Sequence, residues 1–145
     1  MDTIIVGIDG STHAEAALRW AVREARARDE TRVVAIMAWD YLNQPHRPGD
    51  KGFDPDFDQA SADAFLDELM ADMAPAGEGP DPVDVEARAV LGLPAQVLLD
   101  AADSADLLVV GRRGLGGFKG MLLGSVSQHV VQHARCPVVV HQVHD

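Results

Sequence analysis

The sequence predicts a doubly wound α/β fold: a five-stranded parallel sheet with helices on both faces. Three observations carry this. Strand-like and helix-like segments alternate as βαβαβαβαβ along the 145 residues. Four of the five strand segments are near-continuous apolar runs, the mark of parallel strands buried on both faces. The segments between most of them place apolar residues at helical spacing, which supplies the crossovers that parallel strands require.

The first run, "TIIVGID" (3–9), is β-branched, short and ended by Gly10. The helix that follows sets Ala17, Leu18, Ala21, Val22 and Ala25 on one stripe, with Trp20 beside it as a packing residue. Ser11 or Thr12 can cap it, and Thr12-x-x-Glu15 has the capping-box form. "RVVAIMAWDY" (32–41) reads as a second buried strand, followed by a Pro/Gly/Asp-rich loop. That loop, 42–58, fits either a flap near the strand's carboxyl end or a passive connection. Phe65, Leu66, Leu69, Met70 and Met73 form the stripe of the next helix, and "APAGEGPDP" breaks it. "VDVEARAV" (83–90) alternates apolar residues with Asp84, Glu86 and Arg88, which predicts a strand with one wet face at a sheet edge. A short helix with Pro94 in its first turn, a buried strand at 105–111, a helix beginning near Ser125 and a last strand at 136–143 complete the alternation.

Composition predicts one domain spanning 1–145, with an apolar fraction of 47%, ample for a core without disulfides. No apolar run reaches the roughly 20 residues of a membrane helix. The opening "MDTIIVGIDGS" carries an acid where a signal peptide carries cations, so a cytoplasmic location is expected. Cys136 alone cannot form an internal disulfide and is expected to act as a small buried hydrophobe. The net charge of −11 argues against nucleic acid as a partner. The charge is uneven: residues 111–145 carry +3 and the first 110 carry −14. A modest basic patch on an acidic chain suits a small anion better than a polyanion.

Chemistry is expected at two strand ends. If the strand order is 3-2-1-4-5, the reversal lies between the first and fourth strands, and ligands in open parallel sheets sit beyond the carboxyl ends at that point. The first strand ends at Gly7-Ile8-Asp9-Gly10-Ser11, and the fourth runs into "GRRGLGGFKGMLLGSVS" (111–127). The first ten residues of this stretch hold five glycines and three cations, ahead of a helix start at Gly124-Ser125. Glycines let backbone N–H groups approach a phosphate, and a helix N-terminus attracts it. The competing reading makes the glycines turn formers and Ser125-x-x-Gln128 a capping box. The stretch matches neither the Walker A pattern nor G-x-G-x-x-G. His129 and His133 stand i, i+4 on the last helix without an obvious third metal ligand, so surface or interface histidines are expected there.

Gly111-x2-Gly114-x9-Gly124-Ser125 resembles the nucleotide-binding pattern of the universal stress protein family, G-x2-G-x9-G-[ST]. "IIVGIDGS", "LGLPAQVLLDAADSADLLVVGRRG" and "GSVSQHVVQHARCPVVVH" resemble other parts of that family, and only 42–82 looks individual. The resemblance implies the flavodoxin-like order 3-2-1-4-5 and binding of ATP, with Mg2+. By position it puts Gly7 and Asp9 near the ribose and phosphates and Ala38 at the adenine edge. It puts Gly111, Arg112, Arg113, Gly114, Gly116 and Gly117, together with Gly124, Ser125, Val126 and Ser127, around the phosphates. Asp9 would share Mg2+ with the phosphates or meet a ribose hydroxyl; its alternative is a turn-forming Asp in "DGS". A homodimer through the last strand, residues 137–143 from Pro137 to Val143, is also implied, and Pro137 suits an edge. The function expected is an ATP-binding stress-response module that partners read. The alternatives are a slow ATP hydrolase and an interaction module without nucleotide.

Overall fold

Residues 2–47, 49, 52–113 and 123–143 are described in the computed structural model. The strands are β1 (Asp2–Gly7), β2 (Thr31–Trp39), β3 (Val85–Leu91), β4 (Leu107–Gly111) and β5 (Val138–His141). All pair in parallel in the order β3-β2-β1-β4-β5, so the reversal does lie between β1 and β4. The helices are α1 (Thr12–Ala27), α2 (Gln59–Met73), α3 (Pro94–Ala102) and α4 (Ser125–His133), with a short 3-10 turn at Ala74–Gly77.

Alternation along the strands sorts the core into two layers. Ile4, Val6, Val33, Ala35 and Met37 face the helices α1 and α2, where Leu18, Val22, Leu66 and Leu69 meet them. Ile5, Val34, Ile36, Leu108 and Val110 face α3 and α4, against Leu98, Ala102 and Val130. Trp20 packs partly buried against the first layer. Val85, Ala87 and Ala89 of β3 join that same layer, while Glu86 and Arg88 remain exposed, as expected for an edge strand with one wet face. Arg88 Nε donates to Glu86 Oε1 at 2.9 Å, and this contact holds the Glu86 carboxyl below its ordinary pKa.

Several boundaries shift for identifiable reasons. Val83 belongs to the preceding turn, its N–H donating to Gly77 O at 3.0 Å, so β3 starts at Val85. The N-cap of α1 is Ser11, whose Oγ accepts from Ala14 N at 3.2 Å. Thr12 is the first helical residue, and the capping box expected at Thr12-x-x-Glu15 is therefore absent. A capping box forms instead on α2, between Asp58 and Ser61. Cys136 is half-buried against the second core layer, and burial raises its thiol pKa. Among the described residues no helix is long and apolar enough to cross a membrane.

Candidate functional site

Beyond β1, the chain turns sharply to enter α1. Asp9 Oδ1 accepts from Ser11 N at 2.9 Å, so the carboxylate does shape this turn. Gly10 has φ +89, and a Cβ there would stand 2.4 Å from the carbonyl oxygen of His46. Glycine at this position thus lets the 42–47 segment pass directly over the turn.

That segment is a strap tied at both ends. The Asp40 carboxylate accepts from Leu42 N at 2.8 Å, Asn43 N at 2.7 Å and Asn43 Nδ2 at 2.8 Å. These bonds, the Asn43 side-chain amide first, hold the Asp40 carboxyl below its ordinary pKa. Gln44 and Asp54 exchange two hydrogen bonds, Gln44 Nε2 to Asp54 O at 2.6 Å and Asp54 N to Gln44 Oε1 at 3.0 Å. Arg47 reaches Asp72 on α2 at 2.6 Å and Glu15 on α1 at 3.5 Å. Buried Trp39 lies edge-on at 5.4 Å both to Tyr41, just before the strap, and to Phe57, just before α2.

Across the crevice, the loop after β4 closes on itself at its base. Arg112 O accepts from Gly124 N at 2.8 Å and from Ser127 Oγ at 2.9 Å. Ser127 is 3% exposed, and its hydroxyl also lies 3.0 Å from Gly124 O. Its side chain therefore fastens the loop to the helix. The N-cap of α4 is Gly124, with no side-chain cap, and Ser125 is the first helical residue. The capping box that the competing reading placed at Ser125-x-x-Gln128 is thus absent, and Ser125 is exposed. The first α4 hydrogen bond runs from Gln128 N to Gly124 O at 2.9 Å. The amides of Ser125, Val126 and Ser127 precede it and have no carbonyl within the helix.

Between these two structures lies a cleft of about 880 Å³ at the carboxyl ends of β1, β2 and β4. That size falls within the roughly 300–1,000 Å³ of small-molecule sites. The cleft brings together Gly7, Asp9, Ala38, Gly111, Arg113, Gly124, Ser125, Val126 and Ser127, all singled out from sequence. Arg112 is not among its lining residues and contributes its carbonyl to the loop base instead. Gly114, Gly116 and Gly117 lie outside the described residues. The Nε atoms of Arg112 and Arg113 are buried with no partner among the described residues. Leu42, Asn43, Gln44, Pro45, His46 and Phe53 form the strap-side wall, and Pro94 and Leu98 of α3 line the cleft as well. Sequence reasoning left 42–58 open between a flap near the carboxyl end of β2 and a passive connection, and assigned Pro94 and Leu98 to a helix without placing them at the site. The loop composition offers no such signal; the necessity of glycine at position 10 follows from the strap above it.

Chemically, the cleft is divided. Ile8, Ile36, Ala38, Leu98, Val110 and Phe53 offer an apolar surface, while Arg113, Ser125 and the open end of α4 offer donors and positive potential. Among the described lining residues Asp9 is the sole carboxylate. It stands at the end of β1, where it can meet a cation or a hydroxyl.

Fold and cleft together define a doubly wound α/β domain with a ligand-sized cleft at the switch point of its sheet. The chain belongs to the universal stress protein family, whose sequence pattern matches residues 1–142. It is 39% identical over 137 residues to Universal stress protein Rv2005c of Mycobacterium tuberculosis, an alignment covering 94% of this chain and 44% of that protein. The chain thus spans less than half the length of the curated relatives it matches first. A crystal structure of a universal stress protein in complex with cAMP superposes with a TM-score of 0.69 at 30% identity, covering 97% of this chain and 96% of that one. The universal stress protein of Archaeoglobus fulgidus in complex with dAMP gives 0.67 at 26% identity, covering 97% of each chain.

Proposed function

We propose that this chain binds an adenine nucleotide, ATP with Mg2+, in the cleft between β1 and β4, and acts as a nucleotide-dependent regulatory or interaction module in stress responses. The observation that carries the reading is the start of α4, where the cap is Gly124 and supplies no side-chain hydrogen bond. Residues 125, 126 and 127, whose amides have no acceptor within the helix, line the same cleft as Arg113. The apolar surface provided by Ile36, Ala38 and Leu98 suits a base, and Asp9 suits a ribose hydroxyl or a phosphate-bound Mg2+. Complexes of related structures with cAMP and dAMP support an adenine nucleotide as the ligand class.

Binding without efficient turnover is the expected behaviour. Hydrolysis requires a positioned water and stabilisation of the transferring phosphoryl group. Asp9 already accepts the Ser11 amide, and the described cleft residues include no second carboxylate to orient a water.

Ser125→Pro tests the reading. Gly124 already has extended backbone, φ −71 and ψ 167, which accommodates a following proline, and the first helical position tolerates proline. The change removes one N–H and one hydroxyl at the cleft while leaving the helix intact. Losing a charge-assisted donor is worth about 1.5–3 kcal/mol, so Mg-ATP affinity should fall roughly 10- to 100-fold with unchanged thermal stability of the free protein. Calorimetric titration measures this. Unchanged affinity would move the phosphates elsewhere, and absence of Mg-ATP binding by the wild type would leave the cleft to another ligand.

A further inference from the structure

The outer face of α4 carries a pair of side chains unrelated to the cleft. His129 and His133 are both exposed, one helical turn apart, with ring centroids 4.6 Å apart and planes tilted by 41°. Ser127 and Val130, on another face of the helix, are buried, which fixes its rotation and leaves both histidines exposed. Rings spaced this closely on one rigid turn can direct a nitrogen each toward a common point. Neutral imidazole is a preferred ligand of late first-row divalent ions. His133 also occupies the last turn of the helix, where the macrodipole favours added positive charge. Arg135, exposed just beyond, is the nearest cation in sequence and opposes that effect.

We propose that His129 and His133 form a bidentate site for a late first-row divalent cation such as Cu2+, Ni2+ or Zn2+, with water completing the coordination. The described residues contain no group of three or more His, Cys, Asp or Glu suited to a metal. The site is therefore an open two-nitrogen chelate, distinct from a closed structural zinc cage. It does not depend on nucleotide binding.

The test uses the full chain without added histidines, titrated with Cu2+ in a non-coordinating buffer and followed by calorimetry and electron paramagnetic resonance. One Cu2+ per chain with a two-nitrogen signature is expected. His129→Gln and His133→Gln should each weaken binding about 100-fold, the lower end of the gain from joining two ligands on one frame. A third variant, Val131→His with His133→Gln, keeps the number of histidines but sets the pair two residues apart, on different faces. It should lose the ion to the same extent. All three positions are exposed, and circular dichroism reports on the helix in each variant. No Cu2+ binding by the wild type, or equal affinity in the relocated variant, would overturn the proposal.

Discussion

Two serines two positions apart divide their work by burial. Ser127 spends its hydroxyl on the carbonyl of Arg112 and is buried, whereas Ser125 is exposed at the open start of α4. Ser127→Ala should therefore destabilise the folded chain by about 1 kcal/mol, the net value of one intramolecular hydrogen bond. Ser125→Ala should leave stability within a few tenths of a kcal/mol, as surface substitutions usually do, and lower nucleotide affinity instead. Urea unfolding of the two variants side by side checks the contrast, and equal destabilisation would remove it. Asp9 shows why residue-level reading has limits. Its turn-forming and ligand-facing readings look exclusive in sequence, yet the structure places one carboxylate both on the Ser11 amide and in the cleft lining.

The strap and α4 are the elements that shape the cleft. Arg47 joins the strap to two helices through contacts that remain partly exposed, so its contribution to global stability is small, within about 1 kcal/mol. Its effect should be local. In Arg47→Ala the unfolding midpoint should barely move, while limited proteolysis cuts within residues 42–57 several-fold faster. Unchanged cleavage would mean that the Asp40 turn and the Gln44–Asp54 pair suffice. The Asp40 turn gives a second prediction. Because its folded pKa is depressed, its contribution is complete above the unfolded-state pKa and is lost as pH falls through the folded one. The Leu42 and Asn43 amide resonances should hold steady at neutral pH and shift together only in acid, below the usual carboxylate range. Shifts centred near neutrality would overturn this account of the turn.

At the scale of the whole molecule, β5 is an outer strand of the sheet, short and half-buried, with three consecutive valines. Their side chains pack inward on both core layers, leaving a row of backbone groups along the outer edge. We infer that a second copy covers this edge in a homodimer. Hydrogen exchange of the β5 amides should then be slow at high protein concentration and accelerate on dilution, alongside a dimer in sedimentation velocity. Concentration-independent exchange and a sedimenting monomer would leave the edge uncovered.

Helix stripes and the wet face of β3 were legible in the sequence because each depends on local periodicity and on burial of apolar residues on one side, whereas the strand order was implied by the family resemblance. The glycine spacing before α4 was legible too, as was its family resemblance. The helix starts were less so: Thr12 and Ser125 each satisfy the capping-box pattern, yet the caps are Ser11 and Gly124, one residue earlier in each case. Sequence alone thus determined the fold, the family and one side of the cleft. Only the tertiary structure decided that Ser127 clasps the loop, that α4 is capped by Gly124 and not by a serine side chain, and that the 42–47 strap lies over Gly10 as the other wall. The physical reason is separation along the chain. The strap, the β1 turn and α4 meet only once the sheet has assembled, and no local pattern encodes a contact that the sheet itself creates.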